Sequence, residues 1–148
     1  MSLNGIDTSK WQAGLSDTNI SADFIICKAT EGVGYIDTDC DPSYQEALSA
    51  GKLVGFYHFA RPESNSAFDE ANYFYENTKG YFGVGIPILD YETNTDVNWA
   101  KQWLDRIYEL TGVHALIYLS QSTANTGDWS PIWNDYALWV ARYWDMAP

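Results

Sequence analysis

Basic residues are scarce in this 148-residue chain. Eight Lys and Arg stand against 20 Asp and Glu, a formal charge of −12, so phosphate backbones are repelled and counterion-release binding has no basic patch to work with. Nucleic acid is therefore not an expected partner. Cysteine is nearly absent: Cys27 and Cys40 are the only two, and without CxxC spacing they read as buried or free thiols rather than as a zinc site, with a disulfide between them left open. A phosphate-cradling loop is missing, because Gly32-Val33-Gly34 lacks both the further glycine and the strand-turn-helix setting. No apolar run reaches membrane-spanning length, and the first residues show no basic segment followed by a long apolar one. The chain is thus expected to carry no signal peptide and not to insert into a membrane. At this length about one domain with one core is expected.

Aromatic residues, by contrast, are plentiful. Seven Trp and eleven Tyr often lie beside polar residues, which fits a lined groove of the kind that binds carbohydrate and equally fits the core of a small protein. The most informative stretch is Ile86-Pro87-Ile88-Leu89-Asp90-Tyr91-Glu92, an apolar run that ends abruptly in two acids. It reads as a buried strand whose tip leaves the core. Residues two apart on a strand share a face, so Asp90 and Glu92 are expected together with Cα atoms roughly 6.5 Å apart and Tyr91 on the opposite side. Two carboxylates that close do not ionise independently, and the less solvated one tends to hold its proton, giving a general acid beside an anion. The same pair also fits a solvated strand end facing a lysine.

Other strand-like runs end in the same way. One delivers Asp7, with Trp11 and Gln12 after it; residues 24–32 deliver Lys28 and Glu31; residues 53–60 are tipped by Tyr57, His58 and Arg61; residues 113–120 by Tyr118 and Ser120; residues 136–141 by Arg142 and Tyr143. Between them, residues 42–50, 66–78 and 96–110 have helical periodicity. Ser66 reads as an N-cap followed by Asp69 and Glu70, and Gly51 and Gly112 read as helix ends. The expected buried stripes are Tyr44, Ala47 and Leu48; Phe68, Ala71, Phe74 and Tyr75; and Val97, Ala100, Leu104, Ile107 and Tyr108. Residues 121–133 read as loop. A seventh, short strand is expected around residues 81–84. This alternation describes a parallel sheet covered by helices, with functional groups at the carboxyl ends of the strands, and it fits a barrel better than a nucleotide fold. Lys28 and Glu31 also fit a simple mutual ion pair, His58 a hydrogen-bonded wall residue, and His114 a structural one.

Five motifs in this order, Gly5-Ile6-Asp7-Thr8-Ser9 with Trp11-Gln12, Lys28-Ala29-Thr30-Glu31-Gly32, Gly55-Phe56-Tyr57-His58-Phe59-Ala60-Arg61, Leu89-Asp90-Tyr91-Glu92 and Leu138-Trp139-Val140-Ala141-Arg142-Tyr143, resemble the family 25 glycoside hydrolases, the Chalaropsis-type lysozymes of fungi, bacteria and phage endolysins. The resemblance spans the chain and implies an α/β fold, a (β/α)5β3 TIM-like barrel. It implies cleavage of the β-1,4 bond between N-acetylmuramic acid and N-acetylglucosamine in peptidoglycan, without metal or cofactor and with net retention. By position, Glu92 matches the proton donor, Asp90 its neighbouring carboxylate and Asp7 the carboxylate of the first strand. Tyr57, Tyr118 and Trp139 match groove-lining aromatics, with Lys28, Glu31 and Arg142 completing the expected substrate-binding set.

The partner so implied is bacterial peptidoglycan, met at the cell wall either outside the cell or after release from a phage-infected cytoplasm. A carbohydrate-binding module that has lost hydrolysis is the competing reading, and the presence of Asp7, Asp90 and Glu92 argues against it. The family 18 chitinase pattern D-x-x-D-x-D-x-E is not matched, since Gly85, Ile86, Pro87 and Ile88 precede Leu89. Residues 1–148 are expected to form one catalytic domain lacking the last barrel strands. Self-association through the open edge is a further expectation.

Overall fold

The structure, a computed structural model, describes residues 5–8, 24–92 and 95–141, with the side chains of residues 5–8, 24 and 141 outside that description. Seven strands form one sheet: β1 (Gly5–Thr8), β2 (Phe24–Glu31), β3 (Tyr35–Ile36), β4 (Leu53–Phe59), β5 (Ile86–Asp90), β6 (Leu116–Ser120) and β7 (Leu138–Ala141). The order is β1-β2-β4-β5-β6-β7, every pair along that path is parallel, and β3 turns back antiparallel onto β2. The helices are α1 (Cys40–Ser49), α2 (Ala67–Thr78), α3 (Val97–Thr111), α4 (Gln121–Thr126) and α5 (Ser130–Trp133). The α/β architecture is what the alternation of runs predicts, whereas the antiparallel β3, which was not expected, makes the sheet mixed rather than all parallel. Among the described residues, β1 and β7 are the two ends of the path.

Local chemistry sets the helix limits. The Ser66 hydroxyl accepts the Asp69 N–H at 3.1 Å to start α2, and the Asp96 carboxylate accepts the Trp99 N–H at 3.1 Å to start α3. Each cap satisfies a donor that the first helical turn leaves without a partner. Gly112 ends α3 at φ 74°, where its N–H reaches the Tyr108 carbonyl at 2.7 Å, a left-handed position that glycine occupies without Cβ strain.

Two helices bury more than periodicity suggests, and each leaves one expected residue outside. In α2, Ala71 and Phe74 are buried and Tyr75 packs against the core as expected, while Ala67, Glu70 and Thr78 are buried as well, which moves the stripe toward their side. Phe68 lies outside, half-exposed, with the Arg106 guanidinium 4.3 Å from its ring. In α3, Ala100, Leu104 and Ile107 are buried and Val97 packs against the core as expected, while Trp99 and Trp103 join them and Tyr108 does not. Tyr108 instead stacks on His114 at 4.2 Å on the exposed side, which makes His114 a structural residue.

Three further expectations are corrected. Residues 81–84 form no strand: a 3-10 turn at Lys79–Tyr81 leads to Gly83 at φ 91°, and the Tyr81 carbonyl accepts from Val84 and Gly85, which closes a turn. Residues 121–133 are not loop but contain α4 and α5. Ser120 caps α4 by accepting from Thr123 N–H, and Trp129, 1% exposed, donates its indole N–H to the Thr123 carbonyl and buries the connection. Finally β5 stops at Asp90, so Glu92 lies beyond the strand.

The sheet has two unlike faces. Ile25, Cys27, Val54, Phe56, Leu89, Ile117 and Leu119 point toward the helices and join Tyr44, Phe74, Trp103 and Leu104 in one large core. Cys27 and Cys40 are both buried within it and not joined by a disulfide, and hydrogen bonding to Cys27 together with burial pushes the Cys40 thiol well above its ordinary range. On the other face, among the described residues, Ile26, Tyr57 and Ile88 form a small cluster, with Leu116 and Tyr118 packed against it. Beside that cluster is an apolar trough of about 240 Å³ whose lining includes Gly55, Ile86 and Trp139.

Candidate active site

The carboxyl ends of the strands bring the candidate residues into a row. The register pairs Glu31 with Phe59, Phe59 with Asp90, Asp90 with Tyr118, and Tyr118 with Trp139. At 4.7–4.9 Å per strand, the row crosses roughly 19 Å of sheet. Alternation along β4, β5 and β6 carries Tyr57 to Phe59, Ile88 to Asp90 and Leu116 to Tyr118, so the row lies on the face away from the helices. Tyr57 sits one step below it, packed with Ile26 and Ile88. Tyr118 and Trp139 meet edge to face at 5.0 Å, with Trp139 38% exposed and available for stacking.

Asp90 is held on both sides. Its carbonyl accepts the Ala60 N–H at 3.0 Å, and the next N–H, that of Tyr91, donates to the Tyr118 carbonyl at 3.0 Å. Tyr91 points into the helix-side core as expected, where its hydroxyl donates to the Asp96 carbonyl and its ring stacks on Trp99 at 5.5 Å. Glu92 follows, half-buried, and its carbonyl accepts the Thr123 hydroxyl at 3.2 Å, which ties it to α4. The less solvated of the two acids is Asp90, 8% exposed. Burial therefore does not single out Glu92, and a donor role for it rests on its position in the motif.

Lys28 and Glu31 pair at 2.7 Å. Residues three apart on a regular strand point to opposite faces, so the pair needs an irregularity, and β2 supplies one. The β2–β4 register shifts between Lys28 and Thr30, with Lys28 opposite Tyr57 and Thr30 opposite the very next residue, His58. This bulge absorbs Ala29 and returns Glu31 to the face of Lys28. Glu31 also takes the Arg61 side chain, at 2.7 Å from Nε and 2.5 Å from a terminal nitrogen. Burial would raise the Glu31 pKa, but the hydrogen bonds and charges of Lys28 and Arg61 outweigh it and hold the carboxylate below its ordinary range.

Phe59 lies between the two cations, with Arg61 4.9 Å and Lys28 5.4 Å from its ring centre, and Lys28 is also 5.0 Å from the ring of Tyr35. Sequence reasoning named neither Phe59 nor Tyr35 as a site residue. The apolar run containing Phe59 could have suggested it, since it lies two residues beyond Tyr57.

The remaining candidates are distributed as follows. Asp7 has its backbone on β1 opposite Ile26, and its side chain lies outside the described residues. Arg142, Trp11, Gln12 and Tyr143 lie outside them as well. His58 is not at the mouth: it is fully buried on the helix side, between Thr30 and Glu70. Among the described residues no cluster of His, Cys, Asp and Glu could hold a metal ion, and no helix is long and apolar enough to cross a membrane.

Comparison with known proteins gives one answer. The family model described as glycosyl hydrolases family 25 matches residues 6–148. Lysozyme M1 of Streptomyces globisporus is 31% identical across 99% of this chain and 56% of its own length, and the N,O-diacetylmuramidase of Chalaropsis sp is 28% identical across 99% of this chain and 80% of its own. The muramidase structure from Acremonium alcalophilum superposes with a TM-score of 0.84 at 27% identity, covering 96% of this chain and 78% of that one. The chain thus spans little more than half the length of the Streptomyces lysozyme that it matches.

Proposed function

Because this chain belongs to glycosyl hydrolases family 25, we propose that it is a peptidoglycan hydrolase, an N-acetylmuramidase that cleaves the β-1,4 bond between N-acetylmuramic acid and N-acetylglucosamine at the bacterial cell wall. The fold proposed for residues 1–148 is the catalytic (β/α)5β3 barrel of that family. The observation that carries the reading is the row Glu31, Phe59, Asp90, Tyr118 and Trp139, which sets two carboxylates among aromatic rings at the strand mouths. A glycan offers hydroxyls and the apolar faces of its rings, and such a row answers both.

Glu92 donates the proton to the leaving oxygen. The Asp90 anion stabilises the positive charge that develops at the anomeric carbon, or orients the substrate's own N-acetyl group as nucleophile, with net retention of configuration. Asp7, on the first strand, supplies the third carboxylate. Tyr57, Tyr118 and Trp139 hold the sugars by stacking, and Lys28, Glu31 and Arg142 fix their polar groups. No metal or cofactor takes part.

Replacing Glu92 by Gln tests this. Gln keeps shape and hydrogen bonding but cannot donate the proton, so clearing of a cell-wall suspension should fall by about 10² to 10⁴, while sedimentation with intact walls and the melting temperature stay at the parental level. Parental clearing by this variant would remove Glu92 as the acid.

A further inference from the structure

Behind the sheet lies a second polar arrangement, outside the proposed chemistry. Thr30, His58 and Glu70 are each 0% exposed. The Thr30 hydroxyl is 2.7 Å from His58 Nδ1, and His58 Nε2 is 2.8 Å from Glu70 Oε1. Hydroxyl, imidazole and carboxylate in that order form the pattern of a hydrolytic triad, yet here the imidazole is stacked on Trp103 at 5.6 Å and tilted against Phe74 inside the core, where no glycan reaches. Its ends connect elsewhere. Glu70 accepts the backbone N–H of Arg61 at 3.0 and 3.3 Å and the side-chain amide of Asn65 at 2.9 Å. Thr30, at the other end, stands where the register of β2 shifts.

We propose that Thr30, His58 and Glu70 form a positioning relay that sets the Lys28–Glu31–Arg61 ion cluster at the groove from the opposite side of the sheet. The relay anchors both partners of that cluster. Through Thr30 it pins the bulge that turns Glu31 onto the face of Lys28, and through Glu70 it pins the backbone from which Arg61 reaches Glu31. Burial holds the imidazole pKa below its ordinary value, against the pull of Glu70. With the ring proton on Nε2 toward Glu70, Nδ1 accepts from Thr30, and every polar atom of the chain has a defined direction. The three are positioning residues and touch no substrate. That the cluster serves substrate binding rests on the proposed function; that the relay sets its geometry does not.

Thr30→Val removes the hydroxyl at constant shape, and Thr30→Ser restores it. In the full chain, Thr30→Val should move the Glu31 carboxyl titration, followed by carbon NMR, up toward that of an unpaired glutamate. It should also raise KM for soluble peptidoglycan fragments several-fold with kcat close to parental, and Thr30→Ser should return both. If Thr30→Val does not fold, Glu70→Gln carries the same readouts, since its amide oxygen still accepts from Arg61 but the charge facing His58 is gone. A lower melting temperature with the Glu31 titration unmoved would overturn the proposal and leave the relay as a support of the fold alone. If instead the parent releases no fragments while Thr30→Val still shifts Glu31, the relay stands and the muramidase reading fails.

Discussion

The helix-covered face and the open face of this sheet are made from the same strands and differ in what they bury. On the first, Phe56 and Phe74 stack at 5.4 Å, Phe74 and Trp103 meet at 5.3 Å, and all three are 0% exposed. The second has a three-residue cluster and a trough beside which Leu53 is 54%, Ile86 49% and Trp139 38% exposed. One face is filled to the density that makes a core stable. The other leaves aromatic and acidic groups at the strand ends, where a substrate could meet them. Stability and binding are thereby assigned to opposite sides of one layer, and the bulge in β2 and the Thr30–His58–Glu70 chain are where the sides are joined.

The difference is broken most severely from the core side. Phe74→Ala should cost about 3–5 kcal/mol in urea unfolding, whereas Ile88→Ala on the trough side should cost only about 2 kcal/mol, because its neighbours on the open side can relax into the space. Equal losses would mean that the open face is packed as tightly as the covered one.

A smaller effect comes from acid. Burial holds the His58 pKa below its ordinary value, despite the hydrogen bond and charge of Glu70, which act to raise it. The unfolded chain therefore takes up a proton first as pH falls through about 6.5, and the folded state loses up to ~1.4 kcal/mol per pH unit below that point while gaining nothing above it. Unfolding titrations from pH 8 to 5 should show this slope in the parent and a shallower one in His58→Gln.

Smallest in stability is Trp139→Ala on the open face, at about 1 kcal/mol for the lost edge-to-face contact with Tyr118. Its effect should appear as a raised KM. A loss of stability as large as that of Phe74→Ala would place Trp139 in the core.

How much of this was legible in the sequence depends on how local the cause is. The caps Ser66 and Gly112 act within one turn, and each is readable where it stands. Strand ends were legible to within two residues: the run ending at Ser120 stops where expected, and the one expected to reach Glu92 stops at Asp90. The phase of α2 was not legible. Glu70 looks like a first-turn acid suited to the helix dipole, and only its partners His58 and Arg61, 12 and 9 residues away, explain its burial while Phe68 stays out. The bulge at Ala29 leaves no mark in Cys27-Lys28-Ala29-Thr30-Glu31, since it shows only in the register with the next strand, where Thr30 meets His58. Residues 121–133 misled for a related reason: their polar, Thr-rich composition argues against helix, and the burial of Trp129 against Thr123 overrides it. In the candidate site, the pairing of Lys28 with Glu31 was foreseen as one alternative, but the placement of Phe59 between two cations was not.

The account turns on whether the open face cleaves the bond assigned to it. Mass analysis of the fragments released from purified peptidoglycan reads that directly. Fragments ending in reducing muramic acid are the predicted result, and fragments ending in reducing glucosamine, or walls that bind the protein and release nothing, would contradict it.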